Sequence, residues 1–490
     1  MELLRDLPAT AHATSLEVDV EGITHDSRRV QPGDLFVALV GERFDGRVFV
    51  AQAVERGAVA VLAQGAAPSG FEGCWIEARE PRSLLAPLAA RLYGHADREL
   101  LMIGVTGTNG KSTVIELVAS MLEASGRPCG RLGTLGYRFG GRSLEAARTT
   151  PEASDLHRML REARQAGAEA VAMEVSSHAL AQGRVAAVGY DVAVFTNLTR
   201  DHFDFHGDFE SYFAAKARLF DQLVDGGRAV VNVDDSYGRR LAGAMPGAVT
   251  YGAEGTVRPL EVALDRHGLR GRLATPRGPL PVEAPLLGRF NLENVMAAVA
   301  VGEALDLDHP AMVTALARSR SLPGRMESVE RGQAFLALVD YAHTDAALEA
   351  ALRSTRELLE PSARLIVVFG CGGDRDAGKR VLMGRVAGQL ADRAVATSDN
   401  PRSEAPSVIL AAVEEGLRQA GLGTGEYDLI EDRRSAIRHA VESARPGDAV
   451  LVAGKGHEQV QIVDGREIPF SDQEELARAI EEGLGGGHGR

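Results

Sequence analysis

Leu101-Met-Ile-Gly-Val-Thr-Gly-Thr-Asn-Gly-Lys-Ser-Thr113 sets the architecture of this chain. Its apolar start, Leu101–Val105, reads as a buried strand, and Val114–Ala124 beyond it reads as a helix. Between them Gly107, Thr108, Asn109, Gly110, Lys111, Ser112 and Thr113 make a glycine-rich turn. Strand, glycine turn and helix in that order form a phosphate-binding loop. Backbone N–H groups wrap the phosphates, and the helix N-terminus adds a favourable dipole. Lys111 is placed to reach the β- and γ-phosphates of ATP, and Ser112 to offer a hydroxyl to Mg2+. The usual spacing asks for glycine at position 105, where this chain has Val105.

On either side of this segment, strand-like and helix-like runs alternate along the 490 residues, which predicts an α/β fold with mainly parallel sheets. A polar break at Tyr93–Glu99 and a turn at Leu322-Pro-Gly-Arg325 divide the chain into 1–97, 98–323 and 324–490. Strand-like runs repeatedly end in polar clusters. Ala170–Met173 runs into Glu174–His178, and Val192–Phe195 into Thr196–His202. Phe335–Val339 leads to Asp340–His343, Leu365–Phe369 to Gly370–Arg375, Arg393–Ala396 to Thr397–Arg402, and Ala449–Val452 to Ala453–Glu458. Open α/β sheets bind ligands at the carboxyl ends of their strands, so two site-bearing edges are expected to face each other across a cleft.

Composition narrows the function classes. A chain 45% hydrophobic and 25% charged is ordered and globular. It has no run of ~18 apolar residues, so no membrane insertion is expected. Cys74, Cys129 and Cys371 are widely spaced and form no CxxC, which fits a reducing cytoplasm. A net charge of −14 argues against nucleic acid as a partner.

Only four of the 54 basic residues are lysine: Lys111, Lys216, Lys379 and Lys455. With arginine serving the surface, these four are candidates for work that needs a compact ammonium or an amine able to lose its proton. Glu174 ends a buried strand and calls for a cation. His202 ends the neighbouring strand on the same edge. Phe209–Phe220 reads as an amphipathic helix with Lys216 at the border of its apolar stripe. That lysine either snorkels or, if desolvated, becomes a reactive amine.

These motifs together resemble the Mur ligases, amide ligases of peptidoglycan synthesis, over essentially the full length. The resemblance rests on Asp26-Ser-Arg28, Pro32–Ala38, Gly107–Thr113, Thr149-Thr-Pro151, Met173–His178, Gln182–Val185, Thr199–His202, Ala215-Lys216, Asn291–Asn294, Gly324–Glu327, Asp340–His343, Gly372–Asp376, Asp399–Arg402 and Gly454–Glu458. It implies a uridine-binding α/β domain, a central P-loop ATPase-like domain and a C-terminal Rossmann-like domain, acting as a monomer. It also implies ATP-dependent addition of a third amino acid to UDP-N-acetylmuramoyl-L-alanyl-D-glutamate through an acyl phosphate. Lys216 is then a CO2-derived carbamate that holds Mg2+ with Ser112, Glu174 and His202. Ser27, Thr149, Thr150, Ser176, Gln182 and Arg184 match contacts to the UDP-muramoyl-dipeptide. Asn294, Arg325, Asp340 and His343 match the nucleotide set. Arg375, Asp399, Asn400, Pro401, Arg402, Gly454 and Glu458 match the pocket for the incoming diamino acid.

Asp-Asn-Pro-Arg is the version associated with meso-2,6-diaminopimelate, because an arginine can pair a second carboxylate in bidentate fashion. L-lysine and L-ornithine remain alternative acceptors, and a P-loop regulatory NTPase is the reading from another class. Two positions depart from the family pattern: Arg148 before the Thr-Thr pair, and Asp345-Ala346 after His-Thr.

Overall fold

The computed structural model describes residues 2–12, 18–41, 45–423 and 425–486. Three α/β sheets follow one another along the chain. The first has the order Ala9–His12, Cys74–Ala78, Ala60–Ala63, Asp34–Val37, Gly22–Thr24, parallel except for the edge strand Ala9–His12. Helix Pro81–Leu92 covers one face with buried Leu84, Leu85 and Leu88.

The central sheet has eight strands, in the order Val249–Tyr251, Leu223–Asn232, Tyr190–Phe195, Leu101–Thr106, Ala170–Glu174, Cys129–Gly133, Gly136–Phe139, Arg142–Leu144. The first six are parallel, and the last two fold back as an antiparallel meander. Side chains of the Leu101–Thr106 strand alternate between two cores. Ile103 and Val105 pack under helices Lys111–Ala124 and Arg289–Ala304, and Met102 packs on the other side with Leu156 and Tyr212. Being buried on both faces, the strand is a continuous apolar run, as parallel strands are.

The chain also holds an antiparallel sheet that the reading of mainly parallel sheets did not include: Arg258–Asp265, Gly268–Ala274 and Leu280–Ala284. Its last strand buries Leu280, Val282 and Ala284 and exposes Pro281 and Glu283, the alternation of a sheet wetted on one face.

The third sheet runs Glu327–Ser328, Leu336–Asp340, Ala449–Ala453, Leu365–Cys371, Arg393–Ser398, Tyr427–Leu429, parallel except at Glu327–Ser328. Helices Asp345–Glu357, Gly378–Leu390 and Pro406–Gln419 cover one face; Arg433–Ser443 and Asp472–Gly486 cover the other. A hairpin, Val460–Val463 with Arg466–Pro469, reaches back to pair Val463 with Arg402. Among the described residues no helix is long and apolar enough to cross a membrane.

Candidate active site

In the central sheet, Leu101–Thr106 lies between Tyr190–Phe195 and Ala170–Glu174, so their polar ends converge at one edge. Val105 is wholly buried inside the strand, and the loop proper therefore begins at Gly107. That explains the missing glycine at 105: the position is core. Gly107 has φ +147°, and a Cβ there would lie 1.8 Å from Thr196 Oγ1. Gly110 has φ +86°, and its Cβ would meet Asn294 Oδ1 at 2.4 Å. Only glycine fits either place. The loop is tied to the adjacent strand end: Thr108 N donates to Asn197 O (2.9 Å), and Asn109 N to Asn197 Oδ1 (2.9 Å). Lys111 Nζ folds onto the loop, donating to Gly107 O (3.0 Å) and Thr108 O (2.8 Å). Burial lowers its pKa, and the charge of Arg325 acts in the same direction.

Glu174 is 1% exposed and takes hydrogen bonds from Ser112 Oγ (2.7 Å) and Thr134 N (2.9 Å) on Oε1, and from Thr134 Oγ1 (3.3 Å) on Oε2. Among the described residues it has no Lys or Arg partner. Lys216 is its complement, a cation without an anion. It is 1% exposed, and its Nζ stands 4.4 Å over the Tyr212 ring with no hydrogen bond or ion pair among the described residues. On helix Phe209–Ala217 it lies one turn past buried Tyr212 on the same face, so Lys216 points into the core instead of bordering a stripe and snorkelling. Burial first, and then the charge of Lys111, lower its pKa well below the ordinary lysine value. His202 has φ +54° and sets Nε2 3.3 Å from Asp201 Oδ2, with its ring 4.7 Å from that of His178. Burial, offset by Asp201, brings its pKa down to about 4. Among the described residues no three His, Cys, Asp or Glu side chains form a ready-made metal centre.

Two cavities open at these strand ends. One, of about 240 Å3, is bounded by Asn109, Gly110, Ser112, Asn294, Arg325 and Asp340. The other, of about 460 Å3, lies between His178, Asp201 and His202 of the central sheet and Arg375, Asp399, Asn400, Arg402, Gly454 and Glu458 of the third. The two sheet edges do face each other across a cleft, and an Arg200–Asp376 ion pair (3.4 Å) bridges it. His343 lines the larger cavity, apart from Asn294, Arg325 and Asp340, which bound the smaller one. Asp340 and Ala342 line the smaller cavity, while Tyr341 and His343 line the larger. Pro401 is buried off both cavities, its carbonyl against Gly373, where a Cβ would come within 1.9 Å. Arg402 has φ +55° and donates Nη1 to Gly373 O (2.8 Å).

The dipeptide-contact candidates lie outside both cavities, and all but Ser27 sit on a connected network. Thr150 Oγ1 donates to Glu174 O (2.9 Å), and Ser176 N donates to Thr150 Oγ1 (3.0 Å). Arg184 donates Nη1 to Thr150 O (3.2 Å) and Nη2 to Gln182 Oε1 (2.6 Å), and it pairs with Glu152 (2.9 Å). Thr149 Oγ1 is 3.1 Å from Thr134 Oγ1, which links this network to Glu174. Ser27 sits apart in the first sheet's domain, its Oγ donating to Gln52 Oε1 (2.7 Å). The neighbouring Arg29–Asp155 pair (2.7 Å) ties that domain to the central one.

Three family models match successive stretches of the chain. Residues 19–98 match the model described as Mur ligase family, catalytic domain; 105–302 match Mur ligase middle domain; 324–456 match Mur ligase, glutamate ligase domain. UDP-N-acetylmuramoyl-L-alanyl-D-glutamate--2,6-diaminopimelate ligase of Geobacter metallireducens is 43% identical over 98% of each chain. The Streptomyces coelicolor protein of that name is 46% identical over 95% of this chain and 94% of its own. The chain belongs to the Mur ligase family. A solved Mur ligase structure of that same name is 35% identical, with a TM-score of 0.65 over 94% of this chain and 95% of that one. The MurF ligase of Thermotoga maritima, solved with ADP, shares the fold at 18% identity, with a TM-score of 0.68 over 96% of this chain and 100% of that one.

Several residues that line these cavities or brace their walls were not singled out by sequence reasoning. Asn197 and Thr199 lay within a quoted strand-end cluster, and Glu293 next to Asn294; adjacency was the available signal. Tyr341 likewise lay between Asp340 and His343, whereas Thr134 carried no signal, because only the fold brings it to Glu174.

Proposed function

We propose that this chain is an ADP-forming amide ligase that joins meso-2,6-diaminopimelate to the D-glutamyl γ-carboxyl of UDP-N-acetylmuramoyl-L-alanyl-D-glutamate, working as a cytoplasmic monomer. The observation that carries the reading is the pair of cavities at facing sheet edges. A phosphate loop bounds one, and Asp399, Asn400, Arg402 and Glu458 line the other. Relatives 43% and 46% identical bear that ligase name.

A carboxylate is a poor acyl donor, so its oxygen first attacks the γ-phosphorus of ATP and ADP departs. The neutral amine of the acceptor then attacks the acyl carbon. Phosphate leaves, and the new amide nitrogen loses a proton. Lys111 exchanges its two loop carbonyls for phosphate oxygens, and with the loop N–H groups it stabilises the charge on the transferring phosphoryl. Asn294, Arg325 and Asp340 hold the nucleotide. Ser27, Thr149, Thr150, Ser176, Gln182 and Arg184 hold the UDP-muramoyl-dipeptide. Arg375 and Arg402 supply guanidinium forks for the acceptor's carboxylates, and Asp399 and Glu458 face its ammonium. Closing the cleft bridged by Arg200–Asp376 keeps water from the acyl phosphate.

The residues present fit a divalent cation. Glu174 is a buried carboxylate without a fixed cation, and Ser112 hydroxyl lies beside it. Lys216 as a carbamate replaces an unpartnered buried ammonium with an oxygen ligand, and His202 stands at the same strand-end edge. The oxygen donors suit Mg2+, which when bound would neutralise phosphate charge.

ADP release tests the reading. It should require both UDP-muramoyl-dipeptide and a diamino acid, with meso-2,6-diaminopimelate preferred over L-lysine and L-ornithine. ATP hydrolysis indifferent to both would sink the ligase, and an unchanged diaminopimelate rate in Arg402→Ala would sink the role of Arg402.

A further inference from the structure

Lys455 is one of the chain's four lysines, it is 0% exposed, and the mechanism above gives it no step. Its neighbours explain how it comes to be inside. Gly454 has φ +124°, with a Cβ position 2.7 Å from Asp399 Oδ2. Gly456 has φ +55°, with a Cβ position 2.6 Å from the Tyr341 Cβ. These two backbone reversals, open only to glycine, turn the intervening side chain under the wall of the larger cavity. There Lys455 Nζ donates to Asn400 Oδ1 (2.9 Å) and Glu458 Oε2 (2.8 Å). Asn400 closes the triangle by donating Nδ2 to Glu458 Oε2 (2.9 Å), and its Oδ1 also accepts from Ile462 N (2.9 Å).

The consequence lies in what remains free. Glu458 Oε2 is taken twice, whereas Oε1 has no hydrogen-bond partner among the described residues, and the Glu458 side chain is 31% exposed to the cavity. Asp399 Oδ2, on the same wall, is buried without a partner. A buried ammonium shared by two acceptors fixes both side chains in one rotamer and keeps one carboxylate oxygen aimed outward. An arginine there would need room for a planar fork, which explains why lysine was kept in a chain that otherwise uses arginine.

We infer that Lys455 is a positioning residue for the acceptor: it holds Glu458 and Asn400 so that Glu458 Oε1 meets the ammonium of the incoming amino acid. This rests on the ligase reading above. Lys455→Met should raise the KM for meso-2,6-diaminopimelate about tenfold or more, the worth of a hydrogen bond to a charged group. It should leave kcat within about threefold and the KM values for ATP and UDP-muramoyl-dipeptide unchanged. In a Glu458→Gln background the same substitution should add less than about threefold, because the group through which it acts is already altered.

The wild-type enzyme is assayed first: no acceptor-dependent ADP release there overturns the ligase reading itself. If the wild type ligates, three results overturn the role of Lys455. They are an unchanged acceptor KM in Lys455→Met, equal rises in all three KM values, or the full penalty persisting with Glu458→Gln. Lys455→Gln, with the same readouts, serves if Lys455→Met does not fold. Failure of both variants to fold makes the lysine structural and also overturns the inference.

Discussion

Replacing Glu293 with glutamine should stabilise the central domain at alkaline pH and have little effect in acid. Glu293 lies on helix Arg289–Ala304 and lines the 240 Å3 cavity. Its carboxyl makes no hydrogen bond or ion pair among the described residues. Burial, and then the charges of Asp234 and Asp235, push its pKa from 4.5 up to about 7, against a smaller opposing pull from Arg289. In the unfolded chain the group titrates near its ordinary value. Between pH 4.5 and about 7 the native protein therefore holds a proton that the unfolded chain has released, and stability falls as pH rises through that window. Above pH 7 the native group must ionise in place, and the penalty is complete. At ~1.36 kcal/mol per pKa unit, the rise corresponds to about 3 kcal/mol at pH 8 and under about 1 kcal/mol at pH 5. The amide has the same shape and no charge, so Glu293→Gln should recover most of that difference at pH 8. Urea unfolding, together with hydrogen exchange of the helix amides, measures it at both pH values. The KM for ATP should also fall at pH 8, because one negative charge has left the wall facing the phosphates. A variant less stable than wild type at pH 8, or stabilised equally at pH 5 and 8, would refute the reasoning.

Three other substitutions probe separate parts of the design. Gly107→Ala puts a methyl 1.8 Å from Thr196 Oγ1 at φ +147°, so the loop must shift; ADP release should drop at least about tenfold, with helix protection elsewhere unchanged. Arg433→Met strands Asp472, since both side chains are 0% exposed and doubly hydrogen-bonded; urea midpoints should show a loss of about 3–5 kcal/mol, largely restored in Arg433→Met/Asp472→Leu. Lys216→Met removes an unpaired buried ammonium, so stability should hold or rise; ligation should fall at least about a hundredfold, and any stimulation by bicarbonate over CO2-free buffer should vanish. A bicarbonate response that survives in Lys216→Met would exclude the carbamate.

What the sequence could disclose depended on how locally each feature is built. The phosphate loop was legible because strand, turn and helix are contiguous, and the sheet edges were legible because polar clusters follow apolar runs at the ends of strands. The sheet at Arg258–Ala284 was not, because three short strands with one wet face give a weak pattern beside long buried ones. The side of the wall to which His343 belongs was also hidden. Neighbouring residues of Asp340–His343 line different cavities, whereas a linear motif places Asp340 and His343 together. Composition carried a signal that spacing did not. None of the four lysines is exposed, and they sit where arginine would fail for one of three reasons. Lys111 and Lys379 bond main-chain carbonyls with a compact head, Lys455 fits between two acceptors, and Lys216 occupies an apolar site where only an amine can shed its proton. The scarcity of lysine marked those four positions, but only the contacts between Asn400, Lys455 and Glu458 could turn a mark into a role. Those contacts join segments 55 residues apart.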